Sequence, residues 1–211
     1  MRGHATPQEE AEIRALEARV DSGAASISEL FDLACLYMEP THEDASAIAC
    51  FNRILQLDPG CSPSKIWLAY CHLHYSMDPV SERAARQLLE GVLGEHGRLR
   101  AAALMISASL GSDSGDLDTG EVIHLLEQSV ATAPDWVNNR LFLGVRYAEM
   151  GRITEMDAEL AAALENIIEA QPHWSIGRRM FEMSITGRTS FGVARWLQQL
   201  REHLPKDPQW R

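Results

Sequence analysis

Apolar residues recur every three or four positions along this chain, with polar residues filling the gaps. Ile13, Leu16 and Val20 fall at helical spacing. Ahead of them, Thr6 suits a helix N-cap and Pro7 the first helical position, while Glu9 and Glu10 complement the positive end of the helix dipole. No run alternates β-branched and polar residues in the manner of a half-buried strand, so the pattern predicts an all-α fold. One arrangement then repeats: a small or aliphatic residue, a large apolar residue four positions on, and a proline eight positions after that. It occurs as Ala47, Phe51, Pro59; as Ala84, Leu88 with His96 replacing proline; as Val122, Leu126, Pro134; as Leu160, Leu164, Pro172; and as Val193, Leu197, Pro205. The end points lie 37, 38, 38 and 33 residues apart.

An i,i+4 apolar pair marks one buried helix face, and a proline cannot continue a helix. Each copy therefore predicts a helix that packs on a neighbour and then stops. P-D-W at 134–136, P-H-W at 172–174 and P-Q-W at 208–210 place a tryptophan just past such a stop, over the joint to the next helix. A unit of two helices copied at this period is a helical solenoid.

The first helix of each unit shows which kind. Leu143-Gly144, two residues, then Tyr147 reads as L-G-x2-Y, and Gly151 stands where a turn to the second helix belongs. Leu30, Leu33, Ala34 and Tyr37 repeat the pattern, as do Trp67, Tyr70, Cys71 and His74. On these residues the chain resembles the tetratricopeptide repeat family across about residues 27–205. There are departures: Arg140 holds a position where tryptophan is usual, residues 98–110 carry no L-G-x2-Y, and the unit from Trp174 offers Phe181 and Ile185 as loose equivalents. HEAT-type repeats are the structural alternative. The resemblance implies a right-handed superhelical solenoid of about five antiparallel helix pairs, with residues 1–26 as an N-terminal helix and linker and 206–211 as a tail. Segment 111–120 joins the helices of the third unit, with Asp118 or Thr119 capping a helix that starts near Glu121.

The resemblance also implies a function. Stacked first helices in this family line a groove for a protein or peptide partner. Counting the register onto this chain gives Phe31, Cys35 and Met38, then Lys65, Leu68, His72 and Tyr75, then Asn138, Leu141 and Val145 as inward-facing. This mix of apolar and polar groups suits a peptide groove. It lacks the repeated Lys/Asn set with which some members clamp a C-terminal carboxylate.

Charge narrows the partner class. The net charge is −11, which argues against nucleic acid. Residues 112–172 hold 12 acids and 3 bases, whereas residues 174–211 hold 3 acids and 7 bases. Arg178, Arg179, Arg188 and Arg195 form a candidate basic patch for a phosphate or an acidic peptide. Such polarity also permits head-to-tail self-association. No apolar run approaches the roughly 20 residues of a membrane helix, and the N-terminus does not read as a signal peptide. Cys35, Cys50, Cys61 and Cys71 form no C-x-x-C, so reduced thiols in a cytoplasmic chain are expected.

Catalytic and metal readings find little support. C-H-L-H at 71–74 offers two local zinc ligands, but Cys71 and His74 already fill repeat positions. Asp116, Asp118 and Glu127 have part of the spacing of a calcium loop, yet Gly120 and Glu121 stand where an acid or amide and then a glycine belong. No cofactor is expected. The pattern points to a non-catalytic scaffold or adaptor. A dedicated chaperone for a secreted substrate, or a toxin-neutralising protein, is the first alternative, and a metal- or phosphate-dependent enzyme the second.

Overall fold

The computed structural model describes residues 5–38, 44–75 and 79–166, without the side chains of residues 44, 74, 75 and 79. Among the described residues there are nine α-helices and no strand. They are α1 Pro7–Asp21, α2 Ile27–Met38, α3 Asp44–Leu57, α4 Ser62–Tyr75, α5 Pro79–Glu90, α6 Gly97–Ser114, α7 Thr119–Thr132, α8 Val137–Glu149 and α9 Ile153–Glu165. The chain divides after Val92, so that α1–α5 belong to one compact unit and α6–α9 to another. In the first unit α2 pairs with α3 and α4 with α5, and α1 packs on α2. In the second α6 pairs with α7 and α8 with α9. The expected fifth pair and the phrases at 172–174 and 208–210 lie outside the described residues.

Local chemistry starts the helices. Thr6 Oγ1 accepts from the Glu9 N–H, and Glu9 Oε2 accepts from the Thr6 N–H at 2.9 Å. Such reciprocal caps satisfy amides that have no partner within the helix. Ser26 and Glu29 do the same ahead of α2, and Asp118 and Glu121 at the start of α7.

The pairs share one packing rule. Ala34 in α2, Cys71 in α4, Ala108 in α6 and Gly144 in α8 are buried at intervals of 37, 37 and 36 residues. Each second helix answers with three buried residues spaced by four and three. These are Ala47, Phe51, Ile54; Ala85, Leu89 and, just past the end of α5, Val92; Val122, Leu126, Ser129; and Met156, Leu160, Ala163. In the α8–α9 pair a Cβ on Gly144 would lie 3.0 Å from Leu160 Cδ2, so the small residue is what allows the two helices this close. Gly151 makes the turn between them at φ +70°, where other residues are strained.

Two register expectations need correction. In α5 the buried pair is Ala85 and Leu89, while Ala84 and Leu88 are half-buried. In α9 it is Met156 and Leu160 rather than Leu160 and Leu164. The reason is that packing against the preceding helix fixes the face, and a downstream proline does not. His96 lies six residues past the end of α5, whereas Pro59 and Pro134 lie two past α3 and α7.

The third pair also departs from expectation. α6 runs on to Ser114 and α7 begins at Thr119, so the link is 115–118 instead of 111–120. Counted from Ala108, Gly111 falls in the tyrosine position of the repeat. A Cβ there would lie 2.3 Å from Leu117 Cδ1 and 2.4 Å from Cγ. Leu117 from the link thus fills the space a tyrosine would occupy, and its N–H bonds the Gly111 carbonyl at 3.1 Å. Among the described residues no helix is long and apolar enough to cross a membrane.

Two outcomes are expected. Gly111→Ala gains about 1 kcal/mol of helix propensity but forces Leu117 out of its seat, an overpacking cost of about 1–3 kcal/mol. Urea denaturation should show a net loss, and Leu117→Ala in the same chain should recover part of it. At Glu29, the hydrogen bonds from Ser26 and then from Arg19 hold the carboxyl down from the usual 4.5 to about 2. Its contribution to stability is therefore present above about 4.5 and is lost as pH falls toward 2. Ser26→Ala should return its titration, followed by carboxyl resonances, toward the usual range.

Candidate functional site

The predicted groove residues fall into three settings. Phe31, Cys35, Met38 and Leu68 are buried, at 5%, 2%, 1% and 3% exposure. The Phe31 ring meets Phe51 edge-on, with centroids 5.5 Å apart, and burial pushes the Cys35 thiol well up from its usual range. Lys65 and His72 are half-buried in α4. Lys65 Nζ lies 3.4 Å from the place of a Cβ on Gly91, just past the end of α5. A cation there complements the carbonyl end of that helix. Tyr75 closes α4, but its side chain is outside the described set, as are Arg178, Arg179, Arg188 and Arg195.

Asn138, Leu141 and Val145 are half-buried on α8. Their spacing places them on one side of the helix, and Phe142, 38% exposed, adjoins them. Sequence reasoning omitted Phe142; an aromatic residue one position after Leu141 on an amphipathic helix was the available signal.

The helix bearing this face is held on several sides. Ser129 Oγ donates to the Ala101 carbonyl at 2.7 Å, linking α7 to α6. Asn139 Nδ2 donates to the carbonyls of Ser129 and Ala133 at 2.9 and 3.0 Å, fixing the start of α8 to the end of α7. Trp136 is buried as the N-cap residue of α8, the joint position expected of it. Arg140, in the usual tryptophan position, donates to the Pro134 carbonyl at 2.7 Å and to Glu159 Oε2 at 2.6 Å. One guanidinium thereby links the α7–α8 turn, α8 and α9.

A tyrosine–carboxylate bond occurs in each unit. Tyr37 in α2 donates to Glu17 in α1, and Tyr147 in α8 donates to Glu127 in α7, both at 2.8 Å and both across 20 residues. α1 thus meets α2 as α7 meets α8. Arg152 lies over the Tyr147 ring, 4.3 Å from its centroid. Two of the three calcium-loop acids are engaged in the same framework: Asp118 caps α7, and Glu127 accepts the hydrogen bond of the Tyr147 hydroxyl. Among the described residues, no group of three or more His, Cys, Asp or Glu is arranged to hold a metal.

No protein-family model matches the chain, and no curated protein matches it. The crystal structure of a thermophilic TPR protein from Thermus thermophilus does superpose, with a TM-score of 0.60 at 18% identity, over 75% of this chain and 82% of that one. The fold is a tetratricopeptide-like helical repeat. In the tetratricopeptide-like frame, Ala34, Cys71, Ala108 and Gly144 are the small positions and Tyr37 and Tyr147 the tyrosine positions. Residues 98–110, which carry no recognisable motif, are a regular first helix whose tyrosine has been replaced from the link.

Burial and the bond to Glu127 push the Tyr147 phenol from 10 up to about 12. Its stabilising contribution is complete below pH 10 and lost as pH rises through about 12. Tyr147→Phe should remove that part of the alkaline loss of stability. Glu127→Gln should lower the phenol's titration, read by ultraviolet difference spectra.

Proposed function

We propose that this protein is a non-catalytic interaction scaffold of the cytoplasm that holds a protein or peptide partner on the face made by its first helices. The observation that carries the reading is the side of α8 bearing Asn138, Leu141, Phe142 and Val145, partly open on a helix fixed by Asn139, Trp136 and Arg140. A surface ordered beforehand loses little entropy on binding, so a flexible partner bears most of the ordering cost. Lys65, Leu68 and His72 hold the corresponding positions in the first unit, with Tyr75 three residues further along; Leu68 is buried there, as are Phe31, Cys35 and Met38 of α2.

Site-specific photo-cross-linking tests the face. A cross-linker replacing Phe142 should capture a defined partner in cells, and one replacing exposed Ala158 on α9 should not. Leu141→Ser with Val145→Ser should lower the yield at Phe142 by roughly tenfold, as loss of a central apolar anchor does. Equal capture from Ala158, or a yield unchanged by the double substitution in a folded chain, would overturn the reading.

A further inference from the structure

The tyrosine–carboxylate bond found in both units has different company in each. In the second unit the Arg152 guanidinium lies over the Tyr147 ring, its Nε donates to Glu155 Oε1 at 2.9 Å, and the charge of Glu127 draws it further. Tyr147, Glu127 and Glu155, from α8, α7 and α9, thus form a seat for one guanidinium. In the first unit Tyr37 and Glu17 repeat the bond between α2 and α1, but the rest of the seat differs. Aligning the buried triplets Ala47, Phe51, Ile54 and Met156, Leu160, Ala163 puts Ser46 where α9 has Glu155 and Cys50 where it has Glu159. Beside these shorter side chains lies a cavity of about 360 Å³, lined by Glu17, Asp21, Leu33, Tyr37, Ser46 and Cys50. The stretch between Met38 and Asp44, which corresponds to the turn bearing Arg152, contains no arginine or lysine.

Asp21 adds a second carboxylate to the wall where the second unit has Ala131, and among the described residues no base lines the cavity. Arg14, three residues before Glu17, pairs with Glu10 at 3.6 Å. Cys50, 8% exposed, makes no hydrogen bond among the described residues, so a polar group of the wall is also unused. A guanidinium suits such a wall better than an ammonium, because its planar fork meets carboxylates and its face stacks on an aromatic ring. The volume lies at the lower end of the roughly 300–1,000 Å³ of small-molecule sites, which matches a single side chain. We propose that this cavity binds a guanidinium group between the carboxylates of Glu17 and Asp21, with its plane against the Tyr37 ring as Arg152 lies against Tyr147. The site belongs to α1–α3 and is independent of the α8 face. Its guanidinium comes from free arginine or from an arginine side chain of another protein.

The test titrates the isotope-labelled full chain by NMR with acetyl-arginine amide, free arginine, acetyl-citrulline amide and acetyl-lysine amide. It is run at about pH 8, where a histidine of ordinary pKa, such as one in the turn before α3, is neutral. Acetyl-arginine amide should shift resonances of α1–α3, and the citrulline compound, a neutral urea of the same shape, should bind roughly tenfold more weakly. Glu17→Gln, which keeps an acceptor for Tyr37, should weaken the arginine compound roughly tenfold and Asp21→Asn roughly threefold. Glu127→Gln, in the seat that Arg152 fills, should leave it unchanged. A thermal melt of each variant confirms that it is folded. Tighter binding of the amide than of free arginine assigns the site to a side chain in a protein, and equal or tighter binding of free arginine assigns it to the amino acid; either supports the guanidinium class. Equal binding of the citrulline or the lysine compound overturns the proposal. So does an affinity unchanged by Glu17→Gln in a folded chain, or the absence of binding by acetyl-arginine amide at millimolar concentration.

Discussion

Everything in these pairs depends on how closely two helices approach at one small residue. At Gly144 the margin is a single carbon: Leu160 Cδ2 stands 3.0 Å from where a Cβ would be. That approach brings Met156, Leu160 and Ala163 into the interior together. The same relation recurs at Ala34, Cys71 and Ala108, each opposite a second helix with three buried residues at the same spacing. Close packing of this kind gains many weak dispersion contacts along both helices, and a misplaced methylene is felt throughout them. The small position consequently sets which face of the second helix is buried, and that face decides which side of the first helix is left for other contacts.

Polar groups complete the joints that apolar packing cannot specify. Asn139 is fully buried, yet its amide donates to two carbonyls at the end of α7. Each buried hydrogen bond adds roughly 1 kcal/mol net, but removing a partner leaves an unsatisfied group that costs about 1–3 kcal/mol. Specificity thus outweighs gross strength at this joint. The Tyr37–Glu17 and Tyr147–Glu127 bonds serve the same end between successive helices. Their identical 20-residue separation makes α1 the equivalent of a second helix.

Much of this was legible in the residues. Thr6-Pro7, the small positions 34, 71 and 144, the turn at Gly151 and the cap at Asp118 each have a local cause, and local causes survive into the structure. The third pair was harder to read, because Gly111 has no side chain to identify the tyrosine position and its substitute, Leu117, lies beyond the helix end. The proline markers misplaced the buried face in α5 and α9, since a helix stop limits length without fixing rotation. The candidate face was only partly legible. Residues at equivalent positions, Phe31 and Cys35 in α2 against Leu141 and Val145 in α8, differ in burial because exposure depends on neighbouring chain that no single helix encodes.

Arg140 shows how a departure from the repeat pattern connects packing to function. A tryptophan in that position would fill the joint with apolar surface. The guanidinium instead bonds a carbonyl in the preceding turn and a carboxylate on the next helix. Both partners are directional, so the joint fixes the orientation of α8 as well as its position. Phe142 lies two residues along the same helix, and its direction follows from that orientation. A single side chain therefore helps hold the apolar face in place.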